Sequence, residues 1–141
     1  MAKTNHARVG EGLELLNDGL RPFVEREMKA HHDKKWTGVV LEILDNKTRG
    51  KTAPGNDDIH WDTTALLTVM WDQWNTVFRN TLGPAERSLV SELRDIRNRW
   101  AHQNTFNSDD GYRALDSVER LLLAVSAGDQ AEKANAIKTE L

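Results

Sequence analysis

The stretch "SELRDIRNRWAHQ", Ser91 to Gln103, gathers the residue types best suited to acting together on a substrate. Arg97 and His102 stand five positions apart, with Asn98 between them and Arg94 and Arg99 close by. A histidine side chain ordinarily titrates near pH 6.5, so it can take up and return a proton at neutral pH. A guanidinium is planar, always charged, and matched in shape to an oxyanion. The pattern therefore offers a proton shuttle beside an anion clamp.

Geometry complicates that reading. Five residues of a straight helix turn through about 500°, which leaves Arg97 and His102 about 140° apart with a rise of about 7.5 Å. Asn98 and His102, four apart, share a face. For Arg97 and His102 to serve one reaction, the helix must loosen at its end, or two copies must meet across a two-fold axis. The break "QNTFNSDDG" just after His102 allows the first, and a symmetric dimer would supply two Arg and two His in the second. Much of the stretch also reads as an ordinary solvated face. Asp95 and Arg99 are spaced for a surface ion pair worth roughly 0.3 kcal/mol, and Glu92 and Arg94 fit solvated positions. Arg97 is different. It lies four after Leu93, four before Ala101 and seven after Val90, at the edge of the apolar stripe. An arginine there is half-desolvated, and is either paired or waiting for an anion.

The elements that must hold this stretch are helices. Val9, Leu13, Leu16, Leu20 and Val24 recur at helical spacing, and Pro22 within them either starts a second helix or kinks one long helix. "WTGVVLEILDN" predicts a further helix. Residues 47–61 carry Gly, Pro, Asn and charge without periodicity, which predicts the long loop. Asp62 is placed to cap the next helix, whose stripe of Leu67, Met70, Trp74, Val77 and Phe78 runs to about Leu82. Pro84 then opens a helix carrying Leu89, Leu93, Ile96 and Trp100. Ser108 or Asp109 caps another, with Tyr112, Leu115, Val118, Leu122 and Val125 facing inward. "DQAEKANAIKTEL" predicts a last helix that ends without a stop signal, which points to a fragment of something longer. The expected architecture is an all-α bundle of about five to six helices, residues 1–141 forming one domain.

The whole chain narrows the function classes. Its 141 residues suffice for one buried core, and five Trp supply large pieces of it. Cysteine is absent, so disulfides and thiolate metal sites are excluded, and a cytoplasmic location fits. No export signal or membrane span is expected. The net charge of -3 gives no overall nucleic-acid footprint, so a nucleic-acid partner would need a local basic patch. Asp57, Asp58, His60 and Asp62 match no standard metal spacing, and no metal or cofactor is expected there. The pair His31–His32 in "HHDKK" points in two directions, and a basic helix end near the C-terminal dipole accounts for it.

"RNRWAH", Arg97 to His102, resembles the defining motif of the HEPN superfamily, α-helical domains many of which are metal-independent endoribonucleases. "VGEGLELLNDGLRPFVERE", "MWDQWNTVFRNTLGPAERSLVSELRDIRNRWAH" and "YRALDSVERLL" extend the resemblance over most of the chain, leaving out the 47–61 loop and the last dozen residues. They are similar to the subgroup found at the N-terminus of large P-loop ATPases of prokaryotic defence islands, related to a eukaryotic RNA-surveillance endonuclease domain. The resemblance implies that Arg97 and His102 are catalytic, that Asn98 orients them, and that Arg94 and Arg99 extend an RNA phosphate track. It also implies a homodimer, single-stranded RNA as partner, an attached ATPase region and a role in phage defence. RNA can be cut by its own 2′-OH, which needs a proton shuttle and a cation but no metal. Some members carry a Tyr two residues after the motif His; Asn104 stands there, so that style of control is not expected. Trp100 reads as core or dimer interface. Two rival readings remain: a HEPN module that dimerises or binds RNA or nucleotide without cutting, and a monomeric helical interaction domain in which RNRWAH is coincidence.

Overall fold

The computed structural model describes residues 3–47 and 59–141. Among them it places six α-helices and no strand: α1 (Asn5–His32), α2 (Trp36–Lys47), α3 (Thr63–Asp72), α4 (Pro84–Ala101), α5 (Ser108–Ala124) and α6 (Gly128–Lys138). The all-α bundle is as expected. Residues 48–58, most of the expected loop, lie outside the described residues.

The 28 residues of α1 form one helix about 42 Å long, with Pro22 inside it. Pro22 and Asp18 are both exposed, so the carbonyl that loses its helical donor lies on the solvent side. Val9, Leu13, Leu16, Leu20 and Val24 are all buried, and α1 packs against every other helix. The closest approach is to α5 and the turn after it. A Cβ at Gly12 would lie 2.6 Å from Leu115 Cδ2, and one at Gly19 would lie 3.0 Å from Ala127 Cβ. Both glycines are buried on the α5-facing side.

Asp62 caps α3 as expected, its Oδ1 accepting the Ala65 N–H at 2.7 Å. Thr63 Oγ1 donates to the Leu13 carbonyl at 3.1 Å and so docks the start of α3 on α1. The helix does not continue to Leu82; it ends at Asp72. There the backbone widens, with Phe78 N–H bonded to Gln73 O and Arg79 N–H to Trp74 O, five residues back. That change of phase lets Trp74, Val77, Phe78 and Leu82 stay buried while the chain turns toward α4. Pro84 opens α4, and Glu86 Oε1 accepts the Gly83 N–H at 2.7 Å. The cap of α5 is Asn107, not Ser108 or Asp109; its Oδ1 accepts from Asp110 N–H at 2.7 Å. Consequently the buried face of α5 runs through Gly111, Ala114, Leu115 and Val118, and Tyr112 is 49% exposed with Lys138 Nζ 5.4 Å from its ring centre. No helix among the described residues is long and apolar enough to cross a membrane.

Two expected outcomes follow from this packing. Gly19→Val should lower stability by about 1–3 kcal/mol through overpacking, whereas Gly38→Ala on α2, with open space at its Cβ, should raise it by about 0.5 kcal/mol. Urea unfolding of both variants checks the contrast. The second concerns Lys138, which holds Glu119 at 2.7 Å and Asp116 at 3.1 Å between α5 and α6. Bonding to Glu119, then Asp116, raises Lys138 above its usual 10.5, while bonding to Arg120, then Lys138, lowers Asp116 below its usual 3.8. A raised lysine stabilises below its unfolded value and loses that contribution as pH rises through the folded one; a lowered carboxylate does so above its unfolded value and loses it as pH falls. Lys138→Met should therefore lose roughly 1 kcal/mol between about pH 4 and 10, with the difference from wild type shrinking as pH falls below the usual 3.8 of Asp116 or rises above the usual 10.5 of Lys138 in pH-resolved unfolding.

Candidate functional site

The end of α4 is built by contacts that reach across the whole chain. Trp100, inside the motif, donates from Nε1 to the His6 carbonyl at 3.0 Å, and His6 Nε2 donates to the Trp100 carbonyl at 3.0 Å. Their rings stack with centres 5.1 Å apart and planes within 10°. Gly10 makes room: a Cβ there would lie 3.0 Å from the indole. Asn5 Nδ2 reaches the Phe106 carbonyl at 3.1 Å, which fixes the chain leaving the motif against the start of α1. Trp100 is thus a packed side chain of the bundle, half-buried against the core.

The helix stops abruptly behind it. Asn104 N–H bonds to Arg99 O at 3.0 Å and Gln103 N–H to Trp100 O at 3.1 Å, the paired bonds of a Schellman turn. His102 is its cap residue, still bonded from N–H to Asn98 O, and Gln103 takes the left-handed φ of 61° usually given to Gly. His102 is exposed, with no hydrogen bond to its ring among the described residues. Of the two geometries open in the sequence, the helix does end at His102, yet it brings no Arg97 guanidinium to the imidazole.

Arg97 instead lines a partly enclosed crevice of about 60 Å³ between α3 and α4, with Arg94, Asn98, Thr64, Leu67 and Thr68. His102 is not part of its lining. Arg97 is half-buried and, among the described residues, no carboxylate pairs with it, Arg94 or Arg87. Of the two options for an arginine at that edge, the unpaired one holds. Thr64 Oγ1 is buried and, among the described residues, makes no hydrogen bond. The crevice can therefore offer guanidinium, amide and hydroxyl donors to an anion, with no acid among its described lining residues.

The neighbouring charges differ from the expected pattern. Arg99 pairs with Asp110 at 3.6 Å and lies 5.0 Å from the Phe106 ring centre; Asp95, four residues before it, is not its partner. The docking of α5 on α4 sets this, because Asp110 opens the first turn of α5 beside the end of α4. Glu92 is not simply solvated. It accepts from Arg113 Nε at 2.6 Å and from the buried Ser117 hydroxyl, locking α4 to α5. Arg94 lies with its guanidinium carbon 5.6 Å from the Trp71 ring centre. His6 and Trp71 escape the sequence reading. Neither carried a local signal: His6 stands alone, and Trp71, four after Leu67, has the spacing of the buried Leu67–Met70–Trp74 stripe although it is 37% exposed.

Elsewhere, Asp57 and Asp58 lie outside the described residues, and Asp62 caps α3. Among the described residues no three His, Asp or Glu side chains gather as a metal site would need. The basic end of α1 is tied down, with His32 Nε2 and Gln73 Oε1 sharing a hydrogen bond of 2.9 Å.

Because Gln103 holds a left-handed φ, Gln103→Gly should raise stability by about 1 kcal/mol without altering α4, while a β-branched residue there should lower it by a similar amount. Thermal unfolding with helical content measured by circular dichroism checks both.

No curated protein sequence and no solved structure matches the chain. A family model for Swt1-like HEPN domains matches residues 11–126, from the second turn of α1 to just beyond α5, a span that includes the Arg97–His102 motif and the helices that hold it. The all-α bundle and that match give one conclusion: the chain belongs to the Swt1-like HEPN family.

Proposed function

We propose that this chain is a metal-independent endoribonuclease domain, acting as a homodimer on single-stranded RNA. The observation that carries the reading is the division of the motif within one chain. Arg97 and Asn98 line a crevice with no acid among its described residues, and His102 stands exposed at the helix end, outside it. Two copies meeting at this end would supply both halves, and two imidazoles in place of one.

The chemistry then runs on residues of the two copies. The RNA 2′-OH attacks the adjacent phosphate while one His102 takes its proton. The His102 of the second copy protonates the departing 5′-oxygen. Arg97 holds the non-bridging oxygens as charge builds on the phosphorane, in the desolvated setting where such a clamp is strongest. Asn98, one turn before His102, orients the catalytic Arg97 and His102, and Arg94 and Arg99 extend the phosphate track. The products are a 2′,3′-cyclic phosphate and a 5′-hydroxyl. The setting that accompanies this reading is a single HEPN domain across 1–141, joined to a P-loop ATPase region and serving phage defence in the cytoplasm.

The net charge of -3 favours a second reading, a HEPN module that dimerises or binds RNA or nucleotide without cutting. One experiment separates the two. A mixed single-stranded RNA pool is incubated in EDTA with wild type, Arg97→Ala and His102→Ala. Cutting by wild type that leaves cyclic-phosphate ends and falls by about 100-fold or more in each variant is the expected result. Cutting that survives both substitutions removes the assignment of the site. A folded dimer that binds RNA and leaves it whole favours the second reading.

A further inference from the structure

The five arginines of α1 and α5 all have a carboxylate within 4.0 Å: Arg8 with Glu140, Arg21 with Glu25, Arg26 with Glu27, Arg113 with Glu92 and Arg120 with Asp116. On α4 only Arg99, with Asp110, follows the pattern. Among the described residues, Arg87, Arg94 and Arg97 have no acidic partner. Two of them lie against one aromatic ring, Arg87 at 5.0 Å and Arg94 at 5.6 Å from the Trp71 centre. Trp71 is 37% exposed, one of the few large apolar side chains the bundle leaves in solvent.

These groups follow one seam. On α3, Thr64, Thr68 and Trp71 lie on a single face; on α4, Arg97, Arg94 and Arg87 lie opposite in the reverse order. The crevice with its unpartnered Thr64 hydroxyl sits at one end, and the indole sits about 10 Å along at the other. Arg94 belongs to both. A sequence-tolerant single-strand site combines these parts: cations that track the backbone and an aromatic face on which a base stacks.

We infer that the α3–α4 seam is a nucleotide subsite for single-stranded RNA, with a base stacked on Trp71 beside Arg87 and the adjoining phosphate held in the crevice by Thr64 and Arg94. The subsite deepens the endoribonuclease reading and rests on it for the choice of RNA. It places a nucleotide next to the one on which Arg97 acts, and it makes Trp71, Arg87 and Thr64 substrate-binding residues.

The test is fluorescence-polarisation binding of a short single-stranded 2′-O-methyl RNA, which cannot be cut through its own 2′-OH, with cleavage of ordinary RNA measured in parallel. Trp71→Ala should weaken binding by about ten-fold or more and Trp71→Phe by much less. Arg87→Ala should reduce the salt slope of binding by about one. Thr64→Val is the sharper probe. Removing a buried hydroxyl that bonds to nothing should raise Tm by about 2–4 °C while weakening RNA binding about five-fold; a merely structural residue would not move the two in opposite directions.

Unchanged affinity in folded Trp71→Ala, or in Thr64→Val, overturns the subsite. So does a Trp71→Ala protein that separates into monomers with its affinity per protomer intact, which would make the seam an interface between copies. Failure of the nuclease reading looks different: wild type then binds RNA through Trp71 and never cuts it. A wild type that cuts while Trp71→Ala binds equally well leaves the nuclease standing without this subsite.

Discussion

Two missing side chains on α1 set the spacing of the bundle. At Gly12 and Gly19 a Cβ would press into Leu115, Leu122 and Ala127, so α5 and the turn that follows it can approach only because nothing stands there. Interiors are packed too densely for α5 to back away without opening voids along Leu16, Leu20, Val118 and Leu121. The same helix carries Gly10, against which the Trp100 indole lies. One helix thus fixes where α5 runs and where α4 ends.

The position of the motif follows from that scaffold. His6 and Trp100 exchange hydrogen bonds across 94 positions of sequence, and their stacked rings hold the last turn of α4 to the first turns of α1. Glu92 fastens the opposite flank of α4 to Ser117 and Arg113. Held on two sides, α4 presents its remaining face to α3, and there, among the described residues, the polar groups are left unmatched: arginines without acids and a threonine hydroxyl without a partner. A seam built only for stability would pair or remove them, since a buried donor that bonds to nothing is destabilising. Local rules break where function is expected to reside.

Much of this was legible in the sequence because it is periodic or local. The Val9–Val24 stripe, the Asp62 cap, the Pro84 start and the all-α architecture depend on spacing and on neighbours within a turn. The family resemblance was legible too, since the motif and its flanking helices lie in three continuous stretches. The misreadings occur where tertiary packing overrides local pattern. The buried stripe through Trp74 and Phe78 continues although the helix stops at Asp72, because bonds five residues back change the phase. Tyr112 sits one position off the buried face that begins at Gly111, and Asn107 takes the cap one residue early. Arg99 chooses Asp110 from the next helix over Asp95 on its own. The clamp from His6 and the crevice at Thr64 join residues far apart in the chain, and no local window contains them. Trp71, four after Leu67, has the spacing of a buried position, so its exposure too is set by how α3 and α4 pack.

A site completed by two copies is the central claim, and a mixing experiment tests it directly. Wild type and His102→Ala are combined at fixed total concentration, allowed to exchange subunits, and assayed for RNA cleavage in EDTA. If each cut needs an imidazole from both copies, the rate follows the square of the wild-type fraction. A rate that falls in direct proportion to that fraction would show each copy cutting on its own, and would contradict the composite site.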